Sequence, residues 1–236
     1  MRHTASSGGR SLRGFTIIEL VVSIGIMVTL MTTILANYPE SNIRVNLALL
    51  AHTITLSLRE AQLRGSSVES KDLSVGGYGV FFDVASSTHY ALFNDFATVP
   101  GPNGLDVGDG IYATSSILSL DETVSTTYFP YQFRISKLCV GVGYPFSGAN
   151  GSCNTDDSAG LPDVNTLTVD FIRPNPQPII TINQGDLSNI RSSTSSQMLS
   201  AACIEVDSES PNRARYVRSA QIFSSGMIAA SKNGCQ

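Results

Sequence analysis

A single carboxylate, Glu19, stands inside an otherwise uncharged run of 22 residues from Phe15 to Ala36, directly behind a basic leader that ends in Arg13-Gly14. At ~1.5 Å per residue such a run would span about 33 Å as a helix, enough to cross the hydrocarbon core of a bilayer. A carboxylate near the start of that helix costs roughly 2.5–3.5 kcal/mol on insertion scales, so it calls for a partner. An ordinary signal anchor would tolerate Glu19 without giving it one. The leader argues against that simpler reading.

Residues 1–14 carry Arg2, Arg10 and Arg13, no acid and no apolar stretch of their own. A secretory signal peptide places its apolar core before the cleavage site. Here the apolar segment follows the only processing point in view, Gly14-Phe15, and a cut there leaves the hydrophobic helix on the mature chain. The string Gly14-Phe15-Thr16-Ile17-Ile18-Glu19-Leu20-Val21-Val22 closely resembles the prepilin cleavage and methylation motif of type IV pilins and type II secretion pseudopilins. That resemblance implies cleavage between Gly14 and Phe15 by a membrane prepilin peptidase, which also methylates the new amine to give N-methylphenylalanine. It further implies that Glu19 meets the N-terminal amine of a neighbouring subunit during assembly. Physics supports such a role: a lone carboxylate in low dielectric is unfavourable, and a cationic amine from the next subunit neutralises it at one axial offset. The alternative is that Glu19 only snorkels to the headgroups.

Loss of the leader leaves 222 of 236 residues and moves the formal side-chain charge from −4 to −7. About 200 residues lie beyond the membrane run, which suits one domain with a fair core. An acidic head argues against general nucleic-acid binding, because phosphate affinity rests on clustered Lys and Arg. The four cysteines, Cys139, Cys153, Cys203 and Cys235, all lie beyond the apolar run. In an extracytoplasmic head they read as disulfides. Cys139 and Cys153 bracket a Gly-rich stretch and invite a local bridge, leaving Cys203 and Cys235 to pin the chain end; the two other pairings stay open. Their spacing is not that of a zinc site.

Pro39 interrupts the helical pattern about two turns beyond the membrane core, removing a hydrogen bond and bending the axis. Beyond it Ile43, Leu47, Leu50, Ile54, Leu58 and Ala61 repeat at spacings of three and four, which predicts an amphipathic helix with one core-facing stripe. Gly65, followed by Ser66-Ser67, supplies the stop. The remainder reads as β. Tyr78–Asp83 and His89–Phe93 form a hairpin signal, and further strands are expected at Ile111–Leu120, Gln132–Val142, Leu167–Arg173, Ile179–Ile182, Ala202–Val206 and Tyr216–Ser224. Pro174, Pro176 and Pro178 place their segment at an edge or in a turn. Ser188–Gln197 is expected to be a surface loop. The organisation is thus a leader (1–14), an N-terminal helix (15–65, its first part, 15–36, transmembrane and 37–65 amphipathic) and a β-rich head (66–236).

The strings YGVFFD, YALFND and VDFIRPNP resemble blocks of the GspH/FimT group of minor pilins. The resemblance implies an α+β, pilin-like fold: a long transmembrane and stalk helix packed on a β-rich head. It implies a structural subunit, minor rather than bulk given its individual head, that assembles with other pilin or pseudopilin subunits into a type IV pilus or a type II secretion pseudopilus. Its place would be the bacterial inner membrane, single-pass with the head outside the cytoplasm, and then the filament, with DNA or an exported protein as further partners. No cofactor is expected.

Catalysis finds no support in the pattern. His3 leaves with the leader, and neither His52 nor His89 has a nucleophile elbow or orienting acid beside it in sequence. No Walker-type loop occurs. Asp95, Asn103, Asp106 and Asp109 offer oxygen ligands in a Gly-containing segment, a weak calcium-loop pattern without the EF-hand alternation. Arg213, Arg215 and Arg218 cluster near the last strand. Some pilins of the resembled group bind DNA through such arginines, but Glu205, Asp207 and Glu209 lie close enough in sequence to neutralise them.

Overall fold

The computed structural model describes residues 14–67, 75–100, 106–108, 110, 112, 122–130, 132–141, 151–154, 163–172, 177–183, 190–191, 199–208 and 216–235. The chain divides into two units, Met1–Asn42 and Ile43–Gln236. One helix, α1 (Ile17–Ser66), begins in the first and ends in the second, and its helical assignment continues through Pro39.

In the first unit, Ile17–Leu35 is long and apolar enough to cross a bilayer, and none of it is buried. Its hydroxyls are turned back onto the helix: Ser23 Oγ donates to the Glu19 carbonyl (2.7 Å), Thr32 Oγ1 to Val28 (2.8 Å) and Thr33 Oγ1 to Thr29 (2.8 Å). Such back-bonding satisfies a hydroxyl within its own helix, so these polar residues do not need water.

The second unit is α+β. The C-terminal half of α1 buries Ile43, Leu47, Leu50, Ala51, Ile54, Leu58 and Ala61, the stripe expected from the three-four spacing. The first sheet runs β3 (Asp106–Gly108), β2 (His89–Pro100), β1 (Val75–Asp83), β7 (Thr166–Ile172), β8 (Ile179–Ile182), β9 (Ile190–Arg191), with β4 (Thr123–Tyr128) also paired to β2. The second runs β12 (Ile228–Ser231), β11 (Val217–Phe223), β10 (Ala201–Ser208), β5 (Phe133–Gly141), β6 (Gly151–Cys153). All strand pairs in both sheets are antiparallel.

Alternation decides what each strand buries. In the first sheet Val80, Phe82, Tyr90, Leu92, Leu167, Val169, Phe171, Ile180 and Ile182 join the helix in one core. The second sheet adds Phe133, Ile135, Leu138, Val140, Ala202, Ile204, Val206, Ala220 and Ile222. A polar tie crosses this core, Tyr90 Oη to Ser57 Oγ at 2.8 Å. Along the helix flank, Arg44 lies over the Tyr216 ring at 4.5 Å and donates to its hydroxyl, while Arg59 and Gln62 donate to the carbonyls of Ile228 and Gly226. The helix is therefore fastened to the β11–β12 hairpin as well as packed on both sheets.

Several expectations change. The helix has two apolar stripes rather than one: Val45, Leu49, Leu56 and Leu63, each more than half exposed, face away from the core. The helix ends at Ser66, within the expected Gly65-Ser66-Ser67 stop, but Gly65 is itself still helical. It sits in the last turn, where an added methyl would collide with the carbonyl and Cβ of Phe171, so its role is close approach to β7. Within Ser188–Gln197, Ile190–Arg191 pairs with β8 instead of looping, because the open edge of β8 offers unpaired backbone groups. Of the strand expected at Ile111–Leu120 only Tyr112 is described, and it lies outside any strand. The strands at Thr123–Tyr128, Gly151–Cys153 and Ile228–Ser231 were not expected. Pro174 and Pro176 lie outside the described residues; Pro178 is buried just before β8.

The outward face of the first sheet is built around β1 glycines. A methyl on Gly79 would strike the Phe93 ring from β2, and one on Gly77 would meet the Asp170 carboxylate at 3.1 Å. Phe93 fills the trough at Gly79, and Tyr112 closes over it, its ring 5.2 Å from Phe93 and 4.7 Å from Phe81. Replacing Gly79 with Ala displaces that ring and lowers the unfolding free energy by about 1–3 kcal/mol. Gly25→Ala, where the methyl meets nothing within 4 Å, does not lower it and favours the helix by up to about 1 kcal/mol. Denaturant titration of the two full-length variants in detergent checks the contrast.

Candidate functional site

The N-terminal stretch gathers the residues with the least structural explanation. Gly14, Phe15 and Thr16 precede the helix and are exposed, so the Gly14-Phe15 bond lies in non-helical, accessible chain. Thr16 starts α1. Its hydroxyl accepts from the Glu19 amide at 3.3 Å and its carbonyl from the Leu20 amide at 3.2 Å. Thr16 is thus an N-cap with Glu19 at the third helical position, the Thr-x-x-Glu spacing of a capping box, a local signal that sequence reading passed over. The Glu19 side chain is exposed in the first turn, where aligned backbone dipoles favour negative charge. Among the described residues its carboxylate makes no ion pair. The site therefore joins three elements: an open peptide bond, a capped helix start, and one carboxylate at the head of an uncharged apolar rod.

The cysteines converge on the outward face of the second sheet. Cys139–Cys153 and Cys203–Cys235 are disulfides, and no described cysteine is free. Cys139 is in register with both Cys153 of β6 and Cys203 of β10, so the two bridges lie side by side. Together with Ala201 and the flanking Phe223 they form a small separate apolar cluster. The chain end is held beside it. Glu205 accepts from Ser136 Oγ (2.9 Å) and the Cys235 amide (3.0 Å), Ser219 Oγ donates to Asn233 (2.8 Å), and Arg218 donates to the Lys232 carbonyl (3.1 Å). A side chain at Gly234 would collide with Glu205, which is why glycine stands where the tail crosses that carboxylate.

The other candidates do not assemble. Arg218 is engaged by the tail, while Arg213 and Arg215 lie outside the described residues. Asp207 is buried and paired with Arg134 at 3.4 Å. Asp95 is fully buried and accepts the Gly110 amide at 2.7 Å. The Asp106 side chain, and Asn103 and Asp109 entirely, fall outside what is described. Among the described residues no group of three or more His, Cys, Asp or Glu side chains is placed to hold a metal ion. His52 is exposed on α1, and His89 stacks on Tyr128 at 5.2 Å between centroids. The side chain of Pro39 is likewise outside the description.

Two outcomes follow from this geometry. Thr16→Ala removes the cap and costs the first turn about 0.5–2 kcal/mol, read as faster amide hydrogen exchange at Ile18 to Leu20 in micelles. Cys235→Ser frees the tail and costs about 2–4 kcal/mol, read from denaturant midpoints with and without reductant. Equal midpoints for the oxidised parent and the variant would show that the tail is held without the bridge. No protein-family model matches the chain, and no curated protein or solved structure resembles it at a significant level.

Proposed function

We propose that this chain is a structural subunit of a type IV pilus or type II secretion pseudopilus. In this reading it is held in the inner membrane by Ile17–Leu35 with its head outside the cytoplasm. Cleavage between Gly14 and Phe15 frees the Phe15 amine, and the chain then polymerises through the helix. One observation carries the reading: an otherwise uncharged, wholly exposed run, Ile17–Leu35, whose only carboxylate, Glu19, lies four residues beyond an open Gly-Phe bond. Length and apolarity alone would also suit a secretory signal. The order of elements separates the two, since a signal's cleavage site follows its apolar core and here the accessible bond precedes it.

The chemistry is a matter of charge cancellation. In lipid, Glu19 carries a penalty of roughly 2.5–3.5 kcal/mol. A neighbour's Phe15 amine, cationic and itself poorly solvated near the apolar phase, offsets it on pairing, and a pair can form at only one axial offset. Burial of the rod among other helices replaces its lipid contacts, so packing rather than a hydrophobic gain drives assembly. The head is closed by two disulfides, in keeping with an oxidising compartment.

Intact-mass and N-terminal analysis of the chain from its native host tests the proposal. The expected mature N-terminus is a methylated Phe15, and Gly14→Val leaves the leader attached. An N-terminus produced by cleavage beyond the apolar run would overturn the reading. Glu19→Ala is expected to insert normally into membranes but to lose incorporation into sheared filaments by at least tenfold, in line with about 1.4 kcal/mol or more per pair.

A further inference from the structure

The first sheet leaves an edge open at β4. This strand pairs with β2 on one side, and among the described residues no strand pairs with the other. Val124, Ser125, Thr126 and Tyr128 are all exposed, so that side is open to solvent. The direction of its free backbone groups follows from the register. The Phe129 amide donates to the Thr88 carbonyl at 2.8 Å, and His89, Tyr90 and Ala91 stand opposite Tyr128, Thr127 and Thr126. Opposed residues in an antiparallel ladder alternate between hydrogen-bonded and non-hydrogen-bonded pairs. Thr127 therefore exchanges hydrogen bonds with Tyr90, while Thr126 and Tyr128 turn their N–H and C=O groups to the open side. The step in register against β2 falls at Val124, ahead of both. Open edges are commonly guarded by charge or proline. The sequence Thr-Val-Ser-Thr-Thr-Tyr carries neither, and its Thr, Val and Tyr favour extended chain.

We propose that this edge pairs with β4 of a second copy of the chain, antiparallel about a two-fold axis through Thr126. An open edge takes an extended strand through its main-chain groups, and the side chains decide which strand it takes. Here they select the strand itself. About that axis Thr126 faces Thr126 of the copy in a hydrogen-bonded pair, the arrangement its free N–H and C=O require. Val124 comes opposite Tyr128 on each side of the axis. These are the large apolar side chains that the strand leaves exposed, at 38 and 72%, and each covers the other. Tyr128 is already braced from within the subunit by the His89 ring, 5.2 Å away between centroids. A two-fold contact sets a strand against its own sequence, so a charge near the axis would meet its like; β4 has none. A segment of another protein would be offered the same hydrogen bonds, but the match of Val124 to Tyr128 and of Thr126 to itself belongs to this strand. The contact lies in the second unit and does not depend on the filament reading.

Cysteine crosslinking of the full-length chain in membranes of its native host tests this. Facing residues of a hydrogen-bonded antiparallel pair have Cα atoms about 5.5 Å apart, inside the range of roughly 4.4–6.8 Å that a disulfide spans. Mild oxidation of Thr126→Cys is therefore expected to give a covalent dimer on a non-reducing gel. Met227→Cys, exposed in the β11–β12 turn, reports chance collision and is expected to give a several-fold lower yield. Register is read by mixing: Val124→Cys and Tyr128→Cys expressed together are expected to crosslink, and Val124→Cys alone to do so several-fold less. Thr126→Lys added to that mixture sets two charges against each other on the axis and is expected to cut the yield at least about tenfold. Because Thr126 is exposed and its amide faces away from β2, the lysine variant keeps both disulfides and the parent's denaturant midpoint. Equal yields from positions 126 and 227, or a mixed yield that Thr126→Lys leaves unchanged, overturn the inference. So does an adduct from position 126 to a different protein in place of the dimer, which gives the edge to that protein.

Discussion

The head depends on the C-terminal half of α1 being packed against two sheets at once. Leu47, Ile54, Leu58 and Ala61 are fully buried there, among inner-face residues of both sheets. Each large aliphatic side chain removed from water contributes about 1.5–3 kcal/mol, so this stripe is a major part of what offsets the entropy of ordering the strands. Without the helix, Phe82, Tyr90 and Phe171 on one sheet and Leu138, Ile204 and Ile222 on the other would lose partners. The flank contacts of Arg44, Arg59 and Gln62 then fix the helix against the β11–β12 hairpin, contacts that shapeless apolar packing alone would not specify.

The outward faces are managed differently, because among the described residues no helix covers them. On the first sheet glycine at 77 and 79 lowers the surface of β1, and Phe93, Asp170 and Tyr112 fill it. On the second sheet two adjacent disulfides and the chain end do the covering, with Glu205 accepting the Cys235 amide. Every residue of β10 is buried as a result, although only alternate ones face the main core. A chain that closes its outer faces with local covers is free to leave one long apolar strip exposed on its helix. Off the helix, the exposed large apolar side chains among the described residues are Val124, Tyr128 and Met227, on β4 and in the β11–β12 turn.

Much of this was legible in the residues. The three-four spacing of Ile43 to Ala61 set the core-facing stripe, and the aromatic alternation of Tyr78–Asp83 and His89–Phe93 set the first hairpin, since both periods follow from backbone geometry alone. The local bridge between Cys139 and Cys153 was favoured by their short separation, and register confirms it. Strands that lack aromatic or β-branched runs were missed: Gly151–Cys153 forms because β5 offers it an edge and Cys139 a bond, not because its residues prefer to be extended. Thr123–Tyr128 had the composition of a strand, but with its face exposed it lacked the apolar alternation that would have marked it.

By itself the sequence determined the apolar rod, its lone carboxylate, the basic stretch ahead of it and the amphipathic period of the helix. These are properties of consecutive residues, and a helix or bilayer reads them locally. Only the tertiary structure decided that Val45, Leu49, Leu56 and Leu63 stay uncovered by the head, since spacing along a helix does not say how far the sheets reach around it. It also decided that Asp95 is buried on an amide rather than open in a loop, that Gly65 is a close approach to Phe171, and that Arg218 is spent on the chain end. Each of these depends on a partner distant in sequence, and a residue's distant partner is set by how the strands pair and pack, which no local pattern encodes.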